Sequence, residues 1–169
     1  MKEIDSIGLK LSSYQAELFE ASLNHTSCSS LIFIRRFMNS KLALRFDLHS
    51  ILFETSTTED AFNEIEEEYG PSSYGKVKFS SEELHWIGYI YRYWSYTEDL
   101  SSKALYRKIK PDELRKVYFP YHSLDPEQAI ERIKETLIPL KEREPDDIQR
   151  GVKVLRMIRN RNQDRQDKK

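Results

Sequence analysis

His85 and Arg92 are the residues of this chain whose types and spacing come nearest to a chemical site. Both lie in SSEELHWIGYIYRYWSY, residues 80–96, which reads as one helix, and their separation is close to two helical turns. Their side chains then leave the same side of that helix, with Gly88 between them leaving room. The chemistry this allows is anion binding: a ligand, or a partner's carboxylate, sits in the gap and takes a bidentate contact from Arg92. A competing reading gives the same residues no ligand. A glycine in a central helix commonly lets another helix approach, and a buried arginine is commonly paired with an internal acid, here one of Glu64 to Glu68. The second reading carries more weight.

Other chemistries find less support. The histidines, His25, His49, His85 and His122, show no HxxxH or HxxE spacing, and the single cysteine, Cys28, cannot make a thiolate site, so no metal is expected. Cys28 also excludes an intramolecular disulfide and reads as a small, partly buried residue. Five glycines are dispersed, and none forms a phosphate loop between a strand and a helix. No nucleophile elbow is present. No catalytic residue is assigned, no cofactor is expected, and the balance leans away from an enzyme.

The elements that position these residues are helical. Ser80 with Glu83 forms a capping box that starts the central helix, and its apolar residues nearly encircle it: Leu84, Ile87, Tyr91 and Trp94 on one side, Trp86, Ile90, Tyr93 and Thr97 on another. Before it, Ser12 or Ser13 caps a helix through about Leu23, and Ser29 or Ser30 caps one with Leu31, Ile34, Phe37 and Met38 inward. Lys41 to Phe46 continues for a turn or two. HSILFE, 49–54, reads as a strand or as a loop anchored by Ile51 and Phe53. STTED opens a helix that buries Ala61, Phe62 and Ile65 and ends at Gly70-Pro71. PSSYGKVKFS is a loop in which Val77 and Phe79 could add a short extended segment. After the central helix, Ser101 to Ile109 is followed by a helix opened by Pro111 and stopped by Pro120, with a turn at Tyr121 to Ser123. Asp125-Pro126 opens another that carries Ala129, Ile130, Ile133 and Leu137 on one face.

These elements predict a mainly α protein, a single-domain helical bundle around the central apolar helix at about 81–97, with at most minor strand content. The helical domain covers 1–140. Residues 141–169 form a hinge, a basic helix from Pro145 and a tail, NRNQDRQDKK, with nothing apolar to bury. The MKEIDSIGLKL start is not a signal peptide, and no window approaches a membrane span of roughly 20 apolar residues, so a soluble, cytoplasmic chain is expected.

Charge is divided although the formal net value is -1. Residues 54–69 hold seven acids and no lysine or arginine, whereas 150–169 hold eight basic residues and two acids. Arg150, Lys153, Arg156 and Arg159 could form a ridge that contacts nucleic acid. Tyrosine is the other bias, with ten in the chain. Its ring buries while its hydroxyl stays at a wet edge, which suits interfaces. Tyr74, Tyr118, Tyr121 and His122 lie near turns or helix ends. Of these, Tyr74, Tyr121 and His122, together with Arg92, are the candidate partner-binding residues.

The block YGPSSYGKVKFSSEELHWIGYIYRYWSY followed by SSKALYRKIKPDELRKVYFPYHSLDPEQAIERI resembles small uncharacterised bacterial proteins encoded beside toxin-like genes. The resemblance covers about 56–133 and carries no catalytic residue over. It implies a non-enzymatic protein-binding module, an antitoxin that neutralises a cognate toxin-like protein by direct contact. Two alternatives stand beside it: a small enzyme or anionic-ligand binder using His85, Gly88 and Arg92 with Tyr121 or His122, and a nucleic-acid binder using the basic C-terminal end. The oligomeric state is left open.

Overall fold

The computed structural model describes residues 1–54 and 57–136. Among them the chain is helical without a strand: α1 (Ser6–His25), α2 (Ser30–Asn39), α3 (Lys41–Asp47), a 3-10 turn (Ser50–Phe53), α4 (Thr58–Tyr69), α5 (Ser81–Thr97), α6 (Ser102–Lys108), α7 (Pro111–Tyr121) and α8 over 126–136. The chain divides into a compact unit Met1–Ile130 and a second unit Glu131–Lys169. The boundary expected at 140, the hinge, the basic helix and the tail lie outside the described residues.

Short polar side chains start most of these helices, because their oxygens satisfy amide donors that the first turn leaves unpaired. Ser29, Ser40, Ser80 and Ser101 cap α2, α3, α5 and α6. Thr57 with Asp60, and Ser80 with Glu83, close full capping boxes. Asp125 accepts from the Glu127 amide at 3.0 Å and opens α8.

α5 is the centre. From Tyr91 to Thr97 every residue is buried, so the helix is covered on all sides in its last two turns. Its most extensive neighbour is α1. Gly88 makes that approach possible: a Cβ there would lie 2.9 Å from both Ala16 Cα and Gln15 O. Gly8 does the same at the other end of α1, where a Cβ would meet the Tyr96 ring at 2.6 Å. Edge-to-face contacts link Phe19 to Phe33 and Phe37, and Phe37 to Phe46, so α1, α2 and α3 share one aromatic cluster.

Several local expectations are corrected. α1 begins at Ser6 rather than after Ser12, because Asp5 accepts from the Ile7 and Gly8 amides, each at 2.9 Å. Ser12 instead bonds back to Gly8 O inside the helix. In α2, Leu31 is exposed and Phe33 takes the inward place. HSILFE is not a strand: it holds a 3-10 turn anchored, as expected, by the buried Ile51, whereas Phe53, the other expected anchor, is 88% exposed. Pro120 does not stop α7, which runs to Tyr121, since a proline near the last turn removes one hydrogen bond without barring the next residue from the helix. Trp86, expected inside, is half-buried. The segment 71–80 forms no strand, although Tyr74 and Val77 carbonyls accept from the Ser29 and Ser30 amides. Ala129, Ile130 and Ile133 are buried, and Leu137 lies outside the described residues.

Candidate functional site

Arg92 is turned inward and is 2% exposed. Its partner is Asp47, at the end of α3, rather than an acid of α4: Nη1 donates to Asp47 Oδ1 at 2.7 Å. Nε donates to Gln15 Oε1 at 2.8 Å and Nη2 to Ser102 Oγ at 2.6 Å. Asp47 accepts in turn from the Ser102 amide at 2.9 Å and from its hydroxyl at 2.6 Å. Burial pulls the Arg92 guanidinium below its ordinary pKa, and Asp47 opposes that shift. These bonds tie α1, α3, α5 and α6 together, and each nitrogen of the buried guanidinium already has a protein partner. Glu64, one of the acids expected near Arg92, grips Arg45 through two guanidinium nitrogens at 2.6 and 2.5 Å.

His85 faces the other way. It is exposed, and its Nδ1 lies 2.9 Å from Glu20 Oε2. Ser81 donates to the other oxygen of Glu20 at 2.6 Å, and these two contacts hold the Glu20 carboxyl below its ordinary pKa. The structure therefore separates His85 from Arg92, and the space beside Gly88 between them is filled by the α1 backbone. No single ligand spans that stripe.

His85 is instead brought to His122, expected at a separate turn. Both line a groove of about 390 Å³ between α5 and α7, with Trp86, Tyr89 and Tyr118 as its walls and Glu20 and Glu82 on one side. The Trp86 ring meets Tyr118 edge-on at 5.6 Å between centroids, and His122 stacks on Tyr118 at 4.7 Å. His122 Nδ1 lies 2.9 Å from Phe119 O, an acceptor, which fixes the ring's orientation. Phe119 beside it is 84% exposed.

The sequence produces this groove locally. α7 is started by Pro111 and by Glu113, whose carboxylate accepts the Lys110 amide at 2.7 Å. Among its residues Pro111 and Leu114 are buried, so its aromatic second half has little apolar cover. Arg115 Nε, 2.9 Å from Glu83 Oε1, fixes the helix against the start of α5.

The remaining candidates fall elsewhere. Tyr74 is 76% exposed in the 71–80 segment, away from the groove's lining, and Tyr121 ends α7 half-buried. Arg150, Lys153, Arg156 and Arg159 lie outside the described residues. Cys28 is buried beside His25 and Arg36 at a second cleft of about 340 Å³. Among the described residues no cluster of three or more His, Cys, Asp or Glu could hold a metal ion, and no helix is long and apolar enough to cross a membrane. Comparison of the chain with family models, curated proteins and solved structures finds no match.

The walls of the groove escape a reading of the sequence alone. Helical spacing sets Trp86 on an inward face and Tyr89 in a narrow polar stripe; it leaves Tyr118 near a helix end without a partner and gives Phe119 no role. The signal that could find them is also spacing: Trp86 and Tyr89 share a face at three residues, as do Tyr118 and His122 at four.

Proposed function

We propose that the protein is a non-enzymatic binding module that covers a surface of a protein partner, acting as an antitoxin towards a cognate toxin-like protein. The observation that carries this reading is the aromatic groove between α5 and α7, with the exposed Phe119 ring 6.2 Å from that of the lining residue His122. Partly or fully exposed tryptophan, tyrosine and phenylalanine are the residue types on which interface energy usually concentrates. Large rings with Glu20 and Glu82 alongside favour a basic partner segment, because ring faces attract cations and the carboxylates complement them. The choice of a toxin as partner rests on the sequence resemblance alone.

Coexpression with the product of an adjacent toxin-like gene tests the reading. It should yield a stable complex and relieve the growth defect which that product causes. Arg92, being buried, is not a contact candidate; Tyr118, Phe119 and His122 are the first residues to change. If the neighbouring product is harmless, or if the purified protein turns over a substrate and His85→Ala abolishes the turnover, the reading fails.

A further inference from the structure

A second surface feature stands apart from the aromatic groove. Arg35 and Arg36 of α2, Arg107 of α6 and Lys110 surround an open cleft of about 460 Å³, with Tyr69 and Tyr106 among its walls and no carboxylate in its lining. Four like charges round one hollow repel each other, so the grouping favours an anion between them. The three arginines have no carboxylate partner among the described residues. Arg36 Nη1 donates to the Gly70 carbonyl at 2.7 Å, and its guanidinium lies 5.7 Å from the Tyr69 ring centroid. Lys110 Nζ donates to Tyr106 O at 2.8 Å and stands 3.9 Å from that ring's centroid. The side chains of Arg35 and Arg107 are exposed and make no hydrogen bond or ion pair among the described residues. Glu68 and Asp112 lie close enough to act on the two tyrosines, and neither is part of the cleft's lining.

We propose that this cleft binds a nucleotide carrying two or more phosphates, the three arginines holding the phosphates and a tyrosine ring receiving the base. The volume lies within the range of about 300–1,000 Å³ typical of small-molecule sites. Guanidinium groups match phosphate oxygens through paired donors, and tyrosine rings stack on any base. The charge is gathered at one hollow instead of drawn out along a track, which favours a compact polyphosphate over a nucleic-acid strand. The anion binding expected of Arg92 thus belongs to a different set of arginines, and it does not depend on the protein-partner reading.

Titration of the full chain with ATP, with inorganic tripolyphosphate and with a short single-stranded RNA tests the assignment. ATP should bind, and Arg35→Glu with Arg107→Glu should weaken it about tenfold or more. Tyr106→Ala should weaken ATP by about tenfold while leaving tripolyphosphate unchanged. Both arginines are exposed, so the double variant should melt with the wild type; if it does not, Arg35→Gln with Arg107→Gln replaces it. The proposal is overturned if ATP does not bind, or if its binding survives the charge changes. Equal effects of Tyr106→Ala on both phosphate probes would also overturn it, by leaving the base no role. RNA bound more tightly than ATP, and lost in the same variants, would reassign the cleft to nucleic acid.

Discussion

Arg92 and Asp47 show how one buried charge sets the requirements of its neighbours. The guanidinium is tolerated inside because Asp47, Gln15 and Ser102 each receive one of its donors. Removing the carboxylate by Asp47→Ala leaves the cation unpaired and should cost about 3–5 kcal/mol in urea unfolding. Exchanging both residues for apolar ones of similar volume, Arg92→Met with Asp47→Leu, should cost less than the single change; the opposite order would mean that the pair is not the organising contact. Tyr96 carries a separate titration. Its hydroxyl donates to Asp5 Oδ1 at 2.7 Å, and burial, followed by the Asp5 carboxylate, pushes its pKa from 10.0 up to about 12. A phenol kept neutral in the folded chain contributes stability that is whole below pH 10 and is lost as pH rises through about 12. The melting temperature of Tyr96→Phe should therefore fall less than that of the wild type across this interval. Equal falls would remove Tyr96 from the alkaline transition.

At the scale of elements, the α1–α5 pair bears most of the architecture. Gly88→Ala gains helix propensity of up to about 1 kcal/mol but drives a methyl into the α1 backbone, where overpacking costs about 1–3 kcal/mol. Net destabilisation in a thermal melt is expected, and a rise in melting temperature would show that α1 can retreat. Tyr91→Ala removes a fully buried ring whose hydroxyl donates to Ile109 O at 2.8 Å, and should cost about 3–5 kcal/mol. Trp86→Ala should cost clearly less, because Trp86 is half-buried; equal losses would contradict its place on the groove. The elements are largely legible in the sequence because their starts are local chemistry: Ser29, Thr57 and Ser80 sit beside the amides they cap. Local pattern misleads where a distant contact decides. Gly8 has no assigned role in the sequence until the Tyr96 ring is seen to need its missing side chain, and Leu31 fits the inward spacing until α2 is seen to turn Phe33 inward.

For the whole molecule, the site is less legible than the fold. His85, Gly88 and Arg92 share a helix, yet α1 closes over Gly88, Arg92 is drawn to Asp47 some distance along the chain, and His85 pairs with Glu20. Spacing along one helix cannot show which face a second helix will occupy. In the same way, α7 brings His122 to His85 although nothing in either local sequence pairs them. The resulting groove is the central claim, and Phe119→Asp tests it most directly: the side chain is exposed, so the fold does not depend on it, while a charge next to the His122 ring opposes burial of that end of the groove. Calorimetric titration of the proposed toxin-like partner into purified wild type and variant should show affinity for the variant lower by about 2 kcal/mol, roughly 30-fold, with melting temperatures unchanged. Equal affinities for the two would contradict the account.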